Sequence, residues 1–556
     1  MQKKFVACVL LTLSQGVYAA QLPQAGAGSQ IQQIPAAPVL EKVEPKTRVE
    51  QTQAPAVQAS DSTRIAVNSL HLTGQHLYSE AELLKLTGFT PGKQLNLGQL
   101  QTMAAQIADF YHQKGYFVAQ AYLPAQEIKD GAVTIAVIEG HYGAVTMRNQ
   151  SNLSDSLANG AVDDLHRGDV ISSSALETDL LLLSDTPGVE VRSTLVPGAS
   201  VGAADLIVDV TPGQQVTGSI DADNAGNRYT GQYRLGGTLN INNLAGQGDV
   251  ASLRALSSFD GLDYARAAYQ MQFGKATAGV AYSRLDYKLG REFSALHANG
   301  TADIASVYGS YPLLRSRQSN LYVQVGLDYK TFEDRVDLAS SHVDRNVEVL
   351  MTSLRGDHRD DFGGGGLTAG SLTWSTGNLD IETRESRLAD GLTARSNGHY
   401  DKLGFSAMRL QRVTDAFSLY GAINGQVASK NLDISEKMYL GGIDGVRAYP
   451  QGEAFGDEGY LATVEARYLL PQFSDRWLGQ VQLISFVDTG TVTLNENRWD
   501  NSDRTRTLSG AGVGINWFDF NNYSVKTYYA QKLGGEKATS APDSNGRFWV
   551  QMVKYF

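Results

Sequence analysis

The chain has 556 residues, 58 acidic against 47 basic side chains, a formal charge of −11 and a mean hydropathy of −0.24. Beyond residue 20 nothing approaches the ~20 consecutive apolar residues of a spanning helix, so a helical membrane bundle is excluded; an acidic balance without a basic stripe argues against nucleic acid. A transmembrane β-barrel stays open, because its strands alternate apolar and polar residues, and 26 Tyr and 57 Gly beside 14 Pro suit such strands, tight turns and aromatic girdles.

Lys3 and Lys4 precede an apolar run from Phe5 to Leu13, and Val17-Tyr18-Ala19 offers a cleavage position. Residues 1–19 therefore read as a secretory signal peptide. Its loss would take Cys8, the only cysteine, and move the formal charge from −11 to −13. Neither disulfides nor thiol ligands are then expected in the mature chain. Residues 20–34 contain QLPQAGAGSQIQQI, a short helix, and residues 35–62 have the Pro, Ala, Gln and Val composition of a linker.

From residue 63 the period changes repeatedly. Residues 64–73 alternate as one strand, Ser79 with Glu80 and Glu82 opens a helix, and residues 97–113 place Leu100, Met103, Ala104, Ile107, Phe110 and Tyr111 at helical spacing. Residues 117–123 and 133–138 read as strands, with a turn at Asp130-Gly131. The same β-α-α-β-β order recurs with strands at 143–147, 189–195 and 205–210 and helices at 154–158 and 174–183. This predicts two small α/β domains, 63–141 and 142–212, each with a three-stranded sheet and two helices.

After residue 212 helical periodicity ends, and roughly sixteen segments of about ten residues alternate between turn signals. One face of 460–470 is Tyr460, Ala462, Val464, Ala466, Tyr468 and Leu470; Thr463, Glu465 and Arg467 lie opposite. A soluble sandwich is the competing reading, but an even strand count and a last strand ending on Lys554-Tyr555-Phe556 favour a barrel over 213–556. Between the eleventh and twelfth segments lies GGIDGVRAYPQGEAFGDEG, with Arg447 as its lone cation. In FVDTG (486–490), parity puts Phe486, Asp488 and Gly490 with Gln480 and Gln482 on the lumen face, and Val481, Leu483 and Val487 toward lipid. An inward carboxylate needs a cation, and Arg447 can supply a bidentate one if the loop folds back.

Enzyme signatures fail. HRDDFG (358–363) overlaps two kinase tripeptides that a kinase separates, and it lacks the Gly-rich loop and strand lysine. No phosphate loop, Gly-x-Ser-x-Gly elbow or zinc spacing among the nine His is present. No catalytic residue, metal or cofactor is expected.

In this order of parts the chain resembles the two-partner secretion transporters, the haemolysin-activator and filamentous-haemagglutinin-transporter family of the barrel-assembly superfamily. The resemblance rests on HQKGYFVAQAYLPAQEIKDGAVTIAVIEG (112–140), LLLLSDTPGVEV (180–191), the Val446-Arg447-Ala448-Tyr449 stretch against the family's Val-Arg-Gly-Tyr, and FVDTG. It implies a mostly β fold: a 16-stranded transmembrane β-barrel preceded by two periplasmic POTRA domains, an N-terminal plug helix and a linker. It implies an outer-membrane pore that moves a large secreted partner, unfolded and without ATP, to the cell surface. Such a partner carries a β-helical N-terminal secretion domain and is an adhesin, haemolysin or contact-dependent inhibition toxin. Outer-membrane lipid and the barrel-assembly machinery would be the other partners, and an insertase of outer-membrane barrels is the alternative function.

The resemblance assigns Arg447, Tyr449 and Asp488 to a lumen latch, with Val446, Phe486 and Gly490 as its loop and strand motif. Phe110, Tyr116, Phe117 and Tyr122 fall beside the sheet edge expected to accept a client strand. Ala448 departs from the family's Gly. Either the backbone there is not left-handed, or the loop docks differently.

Overall fold

The computed structural model describes residues 26–40, 47–49, 63–472, 478–499 and 503–556. The signal-peptide reading of 1–19 lies outside them, as do 20–25 of the expected plug segment and most of the linker.

Helix α1 (Ala27–Gln32) is the first described element. The linker is not structureless throughout: Thr47–Val49 forms strand β1. In the first periplasmic module, the expected single strand 64–73 is two, β2 (Arg64–Val67) and β3 (Ser69–Thr73), in different sheets. The division falls at Asn68, whose N–H donates to Gly131 O at 2.8 Å and whose amide donates to Asp130 O at 2.9 Å. Helix α2 (Glu80–Thr87) follows, then β4 (Lys93–Asn96), a strand too polar for its period to show, which pairs with β2. Helix α3 (Leu97–Gln113) starts on an Asn96–Gln99 capping box. The expected strand 117–123 shortens to β5 (Gln120–Tyr122), because Tyr116 and Ala119 bond to each other as a turn; β6 (Ala132–Ile138) lies between β3 and β5.

The second module has β7 (His141–Asn149), α4 (Asp155–Gly160), α5 (Ser173–Ser184), β8 (Val189–Pro197) and β9 (Ala203–Pro212). Its sheet order is β1-β8-β9-β7, with β1 parallel to β8 through Thr47↔Ser193 and Val49↔Leu195. The linker thus occupies an edge of this sheet. Each module closes on its own core, around Leu83, Leu100, Ile107 and Ile135 in the first and Ile171, Leu176, Leu206 and Val208 in the second.

Among the described residues sixteen antiparallel strands, Val216–Asp223 through Gly546–Tyr555, form a closed barrel. First and last strands meet as Ser219–Asp223 against Gln551–Tyr555. Phe556, Met552 and Phe548 point to lipid, and Lys554 in that outward row bonds its ammonium to Asn522 at the periplasmic end. The second module marks that end. Lys275, in a strand turn, meets Asp164 at 2.8 Å, Arg315 forks onto Asp185 at 2.7 and 3.1 Å, and Arg317 meets Glu177 at 3.1 Å.

Alternation along the strands sorts side chains as expected. In Gln480–Thr493, Ile484, Phe486 and Asp488 are buried inside, while Leu483 and Val487 are exposed outward. The hydrophobic packing inside the barrel is built around what fills it. One cluster gathers Phe332, Leu285, Tyr287 and Leu379 around Ala27 and Ile31 of α1, and a second gathers Leu440, Val446, Tyr449 and Phe486.

Candidate functional site

The loop joining the eleventh strand (Phe417–Ala428) to the twelfth (Glu458–Leu469) does not project outward. It turns into the lumen, where Leu440, Val446, Ala448 and Tyr449 have no exposed surface. Glycine makes the fold-back: a Cβ on Gly445 would stand 2.0 Å from Leu440 O, the oxygen that accepts from Val446 N–H at 2.6 Å. Arg447 is thereby presented to the thirteenth strand.

Arg447 Nε and Nη2 donate to Asp488 Oδ2 and Oδ1 at 2.9 and 2.7 Å. Arg447 N–H donates to Oδ2 at 3.1 Å and Thr463 Oγ1 to Oδ1 at 3.0 Å. The remaining Arg447 nitrogen pairs with Glu465 at 2.8 Å, and Glu465 also holds Arg467 at 2.7 Å. The guanidinium lies 3.4 Å from the Phe486 ring centroid and 5.0 Å from that of Tyr528, a cation–π stack on both. Trp549 Nε1 donates to Arg447 O at 2.7 Å. Burial disfavours this cation, but Asp488 and Glu465 outweigh it and raise its pKa.

The other motif residues have distinct places. Tyr449 donates its hydroxyl to Glu536 O at 3.0 Å and lies under Lys532, 4.7 Å from its ring centroid. Gly490 leaves room for Leu440, whose Cδ2 would be 2.8 Å from an added Cβ. Ala448 is not among the positive-φ residues, and its methyl fits where Gly510 has none: a Cβ on Gly510 would stand 2.5 Å from that of Ala448. The departure from glycine is thus met across the interface rather than by backbone strain.

Helix α1 sits beside this loop in the extracellular half of the lumen. Ala27 N–H donates to Asp334 at 2.8 Å, Gln30 accepts from Thr230 at 3.0 Å, and Arg234 donates to Gln33 O at 2.9 Å while forking onto Asp223. Asp334 also binds Arg345, which reaches Asp433 of the loop at 2.6 Å. Gly28 packs against Ile434 and Ser435, where a Cβ would meet atoms at 2.9 Å. A six-residue helix is not stable alone, so these wall and loop contacts hold it.

Three residues that sequence reasoning did not place in the site belong to it. Glu465 and Thr463 sit on the inward face, opposite Phe486 and Asp488 in register, and the parity that selected Asp488 also carries that signal. Glu453, fully buried in the loop, accepts from Thr539 and Ser540 and pairs with Arg506 at 2.5 Å. Burial would raise its carboxyl, but Arg506 and the Ser540 and Thr539 donors hold it below the usual range. No local sequence signal marks Glu453.

The four residues chosen at the first module do not form one surface. Phe110 and Tyr116 belong to an aromatic cluster with Tyr78 and Tyr111, at centroid distances of 4.9 Å (Tyr78–Phe110) and 6.1 Å (Tyr111–Tyr116). Phe117 packs on the second module's core, because the modules abut there, and so is removed from the edge. Tyr122 is 44% exposed on β5, an edge strand. Elsewhere, Glu333, His342 and Asp344 bring ligand atoms within 4.8 Å across two strands, a grouping invisible to spacing. Glu333 already pairs with Arg335 and Asp344 with His342.

Residues 202–517 match the family model "Haemolysin secretion/activation protein ShlB/FhaC/HecB", and residues 65–140 match "POTRA domain, ShlB-type". The heme/hemopexin transporter protein HuxB of Haemophilus influenzae is 30% identical over 474 residues, covering 84% of this chain and 82% of HuxB. The outer membrane transporter CdiB of Dickeya dadantii is 25% identical over 434 residues, 76% of this chain and 74% of CdiB. Among solved structures, CdiB from Escherichia coli superposes with a TM-score of 0.67 at 20% identity, covering 91% of this chain and 93% of that one. BamA from Haemophilus ducreyi lacking POTRA domains 1–3 gives 0.53 at 15% identity, covering 88% and 100%. These two likenesses carry the fold. The chain belongs to the ShlB/FhaC/HecB family of haemolysin secretion/activation proteins and is an outer-membrane transporter of two-partner secretion.

Proposed function

We propose that this transporter captures a large secreted protein bearing a β-helical N-terminal domain in the periplasm and threads it outward unfolded, through a lumen cleared of α1. The observation that carries this reading is α1 itself, a helix too short to be stable alone, lodged inside a closed barrel and followed by linker. Residues 1–19 would be removed on export, 20–34 form the plug, 35–62 its tether, 63–141 and 142–212 the two POTRA domains, and 213–556 the barrel.

Among the described residues β5 has one edge unpaired, and that edge, with exposed Tyr122 beside α3, suits an extended client strand. The linker strand on β8 illustrates the geometry such an edge accepts. The Arg447–Asp488–Glu465 cluster would fix the loop in the conformation that permits transport, with Val446, Tyr449, Phe486 and Gly490 shaping its seat. The chain works as a conduit and not an enzyme: export draws on folding of the client outside, which prevents its return. Assembly of the barrel itself would need lipid and the barrel-assembly machinery. A client related to those of heme/hemopexin transporters is favoured over a contact-dependent toxin by the higher identity to HuxB, 30% against 25% for CdiB.

The test is co-expression with the large secreted protein encoded by the neighbouring gene. The partner is expected at the surface or in the medium only when the transporter is present. Retention of the partner in the periplasm, with other outer-membrane barrels failing to insert when the transporter is depleted, would instead identify an insertase.

A further inference from the structure

The lumen loop is fastened a second time, through Glu453. The Glu453 side chain has no exposed surface. Its two oxygens accept from Thr539 N–H at 3.0 and 3.1 Å, Thr539 Oγ1 at 2.7 Å, Ser540 N–H at 2.9 Å and Ser540 Oγ at 2.5 Å. Arg506 Nη1 adds an ion pair at 2.5 Å. Thr539 and Ser540 belong to the connection between the last two strands, residues 533–545, on the end opposite the periplasmic modules. Arg506 stands at the same end and donates to Glu536 at 3.0 Å and Lys537 O at 2.7 Å, while Tyr449 holds Glu536 O. This connection is therefore drawn inward onto the lumen loop.

Of the two residues flanking Glu453, Gly452 faces the plug segment and Ala454 packs in the loop's own cluster with Val446 and Tyr449. Gly452 has φ +72° and Ala454 φ +55°, so left-handed backbone brackets the carboxylate, and for Ala454 that conformation is strained. Gly452 abuts the plug segment: an added Cβ would be 2.7 Å from Gln33 Nε2. A strained turn persists only where its surroundings over-determine it. Here six donor contacts on one side do so, while the neighbouring residue seats Gln33.

We infer that the Gly452–Glu453–Ala454 turn couples the pore exit to the plug. Glu453 is a positioning residue that clasps 533–545 over the exit and, through Gly452, holds Gln33 and α1 in place. Opening the exit and unseating the plug are then one event, released by breaking the clasp. This rests on reading α1 as a plug, but the test needs no secreted partner, so its failure is separable from failure of the transport reading.

The experiment uses full-length transporter carrying Ser29→Cys on α1, with Glu453→Ala, Glu453→Gln, or the opposing pair Thr539→Val with Ser540→Ala. Heat-modifiable migration checks barrel assembly, planar bilayers report conductance, and a membrane-impermeant maleimide reports plug exposure. Glu453→Ala and the Thr539/Ser540 pair should each raise resting conductance and accelerate labelling of the plug cysteine by on the order of tenfold or more. Glu453→Gln, which keeps a carbonyl acceptor and loses the ion pair, should fall between. Higher conductance with unchanged plug labelling would overturn the coupling, and no change in either would overturn the clasp. If Glu453→Ala fails to assemble, the Thr539/Ser540 pair decides by the same two readouts.

Discussion

Arg447→Ala removes the cation that bridges two buried carboxylates, Asp488 and Glu465. Asp488 has no exposed surface and Glu465 only 5%, so neither can exchange the lost guanidinium for bulk water without moving the loop. Breaking a buried ion pair by deleting one partner costs ~3–5 kcal/mol, because the remaining charge is left uncompensated. Thr463 stays with Asp488 and Arg467 with Glu465, which places the expected loss toward the lower bound, about 3 kcal/mol. At 1.4 kcal/mol per factor of ten, the docked loop would lose roughly a hundredfold in population relative to undocked states. Arg447→Lys keeps a charge but forfeits the fork and the stack on Phe486, so it should fall between Ala and wild type. Secretion of the partner measures function, heat-modifiable migration measures assembly, and limited proteolysis of intact cells reads whether 441–456 stays protected. The expected outcome is an assembled barrel, a cleavable loop and lost secretion for Arg447→Ala. Wild-type secretion with a protected loop would refute the reasoning, since no buried pair of this kind could then be holding it.

Three further outcomes are expected. Deleting 21–34 should raise the conductance of the purified pore in planar bilayers, and unchanged conductance would remove α1 as a plug. Gly510→Ala should destabilise loop docking by on the order of 1–3 kcal/mol through overpacking against Ala448, with proteolytic protection restored by adding Ala448→Gly; no rescue would mean the two positions do not share that space. Asp179, buried in the second module, has its carboxyl pushed up to about 6 by burial, helped by Asp164 and opposed by Lys275. A raised carboxyl favours the neutral form in the fold, so its contribution is intact below the unfolded value and falls as pH rises from about 4 to about 6. Asp179→Asn should therefore stabilise this module at neutral pH by on the order of 1–3 kcal/mol and flatten that pH slope, read by hydrogen exchange of the Leu180 and Leu181 amides in the full-length chain.

Much of the architecture was legible because a barrel strand states its orientation in every second residue. Parity put Asp488 inside and Val487 outside, and the structure has them so. The same alternation around residue 463 held the signal for Thr463 and Glu465 as co-ligands of the loop. What stayed hidden depends on contacts between distant segments. Glu453 meets Thr539 and Ser540 across 86 and 87 residues of sequence, and nothing local distinguishes it from a solvated loop acid. Strand β1 is three residues in a linker-like stretch, and only the edge of β8 makes it a strand. The fit of Ala448 to Gly510 is a complementarity of two positions, unreadable from either alone.

On the proposed mechanism the partner crosses through the lumen. This is tested most directly by photo-crosslinking residues placed on one strand, Ser319–Val336, while a partner is stalled in transit. Position 324 shares the inward face of Phe332, which is buried against the plug cluster, whereas Leu327 faces lipid with 53% exposure. Passage through the lumen gives crosslinks to the partner from 324 and none from 327. Crosslinks from 327 alone, or from the seam of the first and last strands without the lumen, would contradict it.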